Sequence, residues 1–201
     1  MTLQAKTEPA ITQLARYVAT GQPDYNADVR TTIRHALIDT LGCILAGARE
    51  PVARQTLETA RNWGAGEAPV YGTGVHLPAP WAAMVNATAA HALEFDDWEV
   101  PGNTHPSAVL IPALLAAAAS GEHTVSGADI VDAYAMGFEV IARIGEAVNF
   151  EHYNDGFHST ATLGAIGAAG GVTRLMKLDA ETTANALALS VSQAIGYACQ
   201  F

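Results

Sequence analysis

Residues 159–176 form a helix-compatible run in which Ala165, Gly167, Ala168 and Gly171 cover much of one surface with side chains of minimal size. Small residues let neighbouring helices approach closely, so a segment of this kind belongs inside a tightly packed bundle. Strand signals are almost absent elsewhere. The apolar half of the chain is supplied by Ala, Leu, Ile and Val, with aromatics at only 7%. The expected fold class is all-α, a multi-helix bundle in which residues 1–201 form one partial helical domain.

Punctuation along the chain divides it into helices. The first is expected over residues 9–19, stopped by Gly21 and Pro23. In the second, Ile33, Leu37, Leu41 and Leu45 recur at i+4, which suggests one apolar stripe on one face. Further helices are expected over residues 52–63, 80–95, 106–120, 126–148 and 159–176, with a last one capped by Asp179 and still running near Ala198. Pro106 suits a first helical turn, and Ser126 followed by Asp129 resembles a capping box. Residues 68–74 read as a short strand or an extended connector. Phe201 closes the chain in or just after an apolar helix, which suggests truncation or a surface that meets another chain.

Charge narrows the function. The formal net charge is -10, from 10 Lys+Arg against 20 Asp+Glu. Such a surface repels phosphate backbones and anionic lipid, so nucleic-acid and membrane-surface binding are not expected. The longest uncharged apolar run, residues 108–119, falls short of the roughly 18 residues of a membrane span, and the N-terminus has no signal-type apolar core. A soluble cytoplasmic protein is expected, with Cys43 and Cys199 as buried free thiols. An anionic substrate would find few cations here beyond the 7 His.

Two polar loops stand out from the Ala-rich background. The first carries His91, Glu94, Asp96, Asp97, Trp98 and Glu99, then Thr104, His105 and Ser107. Its carboxylates sit near the C-terminal end of an expected helix, where the helix dipole disfavours negative charge, so local stability does not ask for them. Glu99 reads as a solvated acid. Glu94 and Asp97, three apart, can share a face, and His91 joins Glu94 at the same spacing. His105 stands at a helix start, where free backbone N–H groups disfavour a cationic ring and favour a carboxylate ligand, with Thr104 and Ser107 adding hydroxyls. The second loop, residues 149–157, leads into His158, Ser159 and Thr160, again at a helix start. Two such starts could converge on one anionic ligand. A metal is not expected: His91, Glu94, Asp97 and His105 offer donors, yet no His-Glu-x-x-His pair or Cys/His cluster has zinc spacing.

Taken together, Ala90-His-Ala-Leu-Glu-Phe-Asp-Asp97, Thr104-His-Pro-Ser-Ala-Val109 and Gly156-Phe-His-Ser-Thr160 resemble motifs of the MmgE/PrpD family. Asp39-Thr-Leu-Gly42 and Gly127-Ala-Asp-Ile-Val-Asp-Ala-Tyr134 extend the resemblance over essentially the whole chain. The family includes 2-methylcitrate dehydratases, cis-aconitate decarboxylases and an iminodisuccinate epimerase. The resemblance implies a large helical domain with a smaller α+β lid beyond Phe201, no cofactor, and a homodimer acting on a small-molecule carboxylate. It also implies lysines for substrate carboxylates beyond Phe201.

By position, Glu94 matches the first acid of the family's Asp-Phe-Asp-Asp-Thr run, His105 the His of His-Pro-Ser, and His158 the His of Gly-Trp-His-Pro-Thr. Trp98 replaces the usual Thr and Ser159 the usual Pro. The resemblance makes His105, His158, Glu94 and Asp97 the expected catalytic set, the acids orienting the imidazoles. Thr104, Ser107, Trp98 and Ser159 are the expected substrate-binding residues. Dehydration of a 2-methylcitrate-like substrate is the first expectation; epimerisation or decarboxylation of a related substrate, or an inactive helical scaffold, are the alternatives.

Overall fold

A computed structural model describes residues 8–121 and 124–198. Cys199 lies outside them, while Cys43 is a buried free thiol. The helices in chain order are α1 (Ala10–Thr20), α2 (Ala27–Gly47), α3 (Pro51–Arg61), α4 (Ala79–His91), α5 (Pro106–Ser120), α6 (Gly127–Asn154), α7 (Ser159–Leu175) and α8 (Ala180–Gln193). The minor sheet is an antiparallel hairpin, β1 (Ala68–Val70) and β2 (Val75–Leu77), between α3 and α4. The expected all-α class holds. No helix among the described residues is long and apolar enough to cross a membrane.

Helix α7 lies against α5, α6, α8 and α1, and α4 lies against α2, α3 and α5. The main core runs through Ile33, Leu110, Ile111, Leu114, Tyr134, Ile141 and Leu163, contributed by α2, α5, α6 and α7. Leu110 and Ile111 are fully buried, each contributing about 1.5–3 kcal/mol by leaving water. The thin face of α7 works as its composition suggests. A Cβ on Gly167 would stand 2.3 Å from Ile141 Cγ1 and 2.9 Å from the Gly137 carbonyl oxygen, so only hydrogen fits between α6 and α7.

Several helix boundaries differ from the sequence reading. The i+4 series on α2 does not form one buried stripe: Ile33 is buried, but Leu45 is 58% exposed. Each i+4 step overshoots a 3.6-residue turn by about 40°, so the four leucine and isoleucine positions spread over about 120°. Burial follows Ile33, Thr40, Ile44 and Gly47 instead. Residues 68–74 hold only half of a hairpin, whose turn is made possible by Gly72 and Gly74 at positive φ.

Helix α4 stops at His91 rather than running to Phe95, α6 continues through most of the expected second loop to Asn154, and α8 ends at Gln193 rather than near Ala198. The Ser126–Asp129 capping box and the Asp179 cap form as expected.

Candidate active site

The site is built where two helices begin and two end. After His91 the Glu94 N–H closes a tight turn on the His91 carbonyl, and Glu94 takes a left-handed conformation with φ 55°. That geometry is costly for a side chain larger than Asn and persists only where surrounding contacts dictate it. The spacing of Glu94 from His91 is therefore a turn relationship and not a shared helical face. Glu94 still reaches back, with Oε1 3.4 Å from His91 Nε2.

The rest of the loop folds on a buried acid. Glu99, expected in solvent, is 8% exposed; its carboxylate accepts from the Gly102 N–H at 2.9 Å and from the Thr104 hydroxyl at 2.6 Å. A bridge between Glu99 and Thr104 completes the turn. Its tip presents Asn103, also left-handed, whose Oδ1 accepts from Trp98 Nε1 at 2.9 Å. The loop then delivers His105 to the start of α5, its N–H donating to the Thr160 hydroxyl at the start of α7.

The convergence of helix starts expected from the sequence is thus present. His105 and His158 immediately precede α5 and α7, and both line a cavity of about 250 Å³ with His91, Glu94, Asn103, Tyr153 and Thr160. No Lys or Arg among the described residues lines it. Burial pushes the His158 imidazole down, and the charges of His91 and His105 push it further, so its neutral form is favoured.

Asp96, which spacing arguments passed over, lies beneath the cavity. Its side chain is wholly buried, with both oxygens 3.0 Å from His91 Nδ1 and Oδ2 3.3 Å from His105 Nδ1. The His105 contact is close enough for charge pairing without the alignment of a full hydrogen bond. Burial alone would raise this carboxyl, but His105 and His91 outweigh it and hold Asp96 well below the usual carboxylate range. In return the bond to Asp96, against burial, raises His91, with the charges of Asp96 and Glu94 adding to it. Donor atoms of His91, Asp96 and His105 lie within 4.8 Å of one another, a spacing a metal would need; Asp96 bonds His91 and leaves the buried His105 Nδ1 without a hydrogen-bond partner.

Asp97 does not orient an imidazole. It accepts from the Ser107 N–H and hydroxyl, and Ser107 Oγ lies 2.7 Å from the Tyr134 hydroxyl. Burial raises the Asp97 carboxyl, against the bonds from Ser107. This chain of bonds ties the loop to α5 and α6. The expected substrate-binding group is also displaced from the cavity wall. Thr104, Ser107 and Ser159 are buried, the first two with hydroxyls engaged inside the protein, and Trp98 is half exposed against Asn103. Thr160, Asn103 and Tyr153 occupy the wall instead. Of these, only Thr160 had a sequence signal, as a hydroxyl at a helix start.

Residues 12–201 match the MmgE/PrpD N-terminal domain. The chain belongs to the MmgE/PrpD family. A cis-aconitate decarboxylase of Aspergillus terreus is 30% identical over 178 residues, covering 86% of this chain and 36% of that protein. The cis-aconitate decarboxylase-like protein oryM of Aspergillus oryzae (strain ATCC 42149 / RIB 40) is 30% identical over 192 residues, covering 92% and 40%. The Homo sapiens cis-aconitate decarboxylase is 31% identical over 169 residues, covering 80% and 34%. The chain thus spans little more than a third of the length of these MmgE/PrpD relatives.

Proposed function

We propose that this MmgE/PrpD chain carries the proton-transfer part of a cofactor-independent lyase site for a di- or tricarboxylate. The observation that supports it is the meeting of His105 and His158 at one polar cavity, each at a helix start. Free N–H groups at helix starts favour a carboxylate ligand, and imidazoles near neutrality exchange protons with carbon acids or leaving groups. His158, shifted toward its neutral form, is the proton acceptor or carrier; His91, shifted toward its charged form, is the proton donor. A homodimer, which the family resemblance implies, belongs to this reading and is measurable by light scattering.

Decarboxylation of a cis-aconitate-like substrate is the first reaction we assign, because the relatives carry that name. Breaking the C–CO₂⁻ bond releases CO₂ and leaves an electron pair, which a proton from an imidazolium quenches at carbon. Dehydration of a 2-methylcitrate-like substrate is the second reading, supported by the acidic and His-Pro-Ser motifs shared with the family. Incubation with cis-aconitate and with 2-methylcitrate separates them: CO₂ release marks the first, loss of water the second. H105A and H158A should each lower kcat by about 10²-fold or more. Near-normal turnover in both variants would refute the assignment.

A further inference from the structure

A carboxylate removed from water persists in ionised form only with donors around it. Asp96 meets that demand with imidazoles from two different elements, His91 at the last turn of α4 and His105 just before α5. The two rings sit 4.6 Å apart, tilted by 59°. An ionised carboxylate accepts hydrogen bonds and cannot donate them, so each nitrogen facing it carries the hydrogen.

We propose that Asp96 is the positioning residue of this site, holding hydrogen on the Nδ1 of both His91 and His105 so that both Nε2 atoms turn toward the cavity. The proposal rests on the reading of that cavity as a proton-transfer site. Both rings line it, and their Nδ1 atoms face Asp96, a buried acid that does not line it. In its neutral form His105 then offers a bare Nε2 as a proton acceptor. His91 Nε2 lies 3.4 Å from Glu94 Oε1, so His91 is bracketed by carboxylates and acts as the donor. One buried acid thereby sets opposite duties for two neighbouring imidazoles. Asp97, next in the chain, is committed to Ser107 and has no share in this.

The test is ¹⁵N NMR of histidine-labelled protein, which reads the tautomer of each ring without any substrate. At a pH where the ring is neutral, wild type should show His105 with hydrogen on Nδ1 and none on Nε2. In D96N the amide oxygen can still accept from one ring, but its NH₂ opposes the other Nδ1–H, so at least one ring should change tautomer. With cis-aconitate as probe, kcat of D96N should fall by about 10²-fold with KM little changed.

A neutral wild-type His105 with its hydrogen on Nε2 would overturn the proposal, and that measurement needs no variant to fold. A tautomer change in D96N that leaves kcat untouched would overturn it as well. If wild type fails to turn over any offered carboxylate, the reaction assignment falls, while the tautomers still decide the role of Asp96.

Discussion

The main-chain N–H of His105 donates to the side-chain hydroxyl of Thr160 at 3.0 Å, tying together the first turns of two helices 55 residues apart. That bond sets the mutual position of the two helix starts on which the cavity is built. T160A removes the acceptor and strands a half-buried donor, which should cost about 1–3 kcal/mol in stability. Urea unfolding reads the loss directly. T160S keeps the hydroxyl and should recover most of it; equal destabilisation in both variants would show that the methyl group, not the bond, matters.

Gly145 on α6 supports the acidic loop from behind. A Cβ there would stand 2.4 Å from Gly102 Cα and 2.6 Å from its nitrogen, both backbone atoms that cannot rotate away. G145A should therefore displace the loop that carries Glu99 and Asn103, lowering stability by about 1–3 kcal/mol and reducing turnover. A crystal structure of G145A with an unmoved loop, together with wild-type activity, would contradict this.

The paired His91 and Asp96 predict a particular pH dependence. Asp96 is lowered from an ordinary 3.8, so its stabilising share is complete above that value and is lost as pH falls through its depressed folded pKa. His91 is raised from an ordinary 6.5, so its share is complete below that value and is lost as pH rises through its raised folded pKa. The two shares overlap between the ordinary values of 3.8 and 6.5. The stability difference between wild type and H91Q should be largest in that window and shrink toward alkaline pH. A difference independent of pH, measured by urea titration across the range, would disprove the pairing.

The pairing of Asp96 with His91 and His105 predicts indifference to metal. Exhaustive dialysis against a chelator should leave Tm and turnover unchanged. A fall in Tm that added zinc or manganese restores, and that H105A abolishes, would place an ion among those three side chains.

Helix ends mark the border of what could be read in advance. Ser126, Asp179, Pro106 and the glycines of α7 act through bonds or clashes within a turn or two, so their sequence is enough to place them. His105 and His158 were legible for the same reason, as side chains at helix starts. Asp96 was not. It lies five residues from His91 across a helix end, where no periodic rule relates side chains, and its contact with His105 depends on the path of the intervening loop. Glu99 was misread because acids are usually solvated, and only the folded loop supplies the donors that make its burial tolerable.

By itself the sequence determined a mostly helical chain of thin, closely packed helices, an excess of acidic residues, and two imidazoles at helix starts. Those properties follow from local periodicity, side-chain volume and capping chemistry. Tertiary structure alone decided which of four neighbouring acids holds the imidazoles, because that choice turns on which carboxylate the loop buries between α4 and α5. The sequence shows how many charges a loop has; the fold determines which of them loses its water.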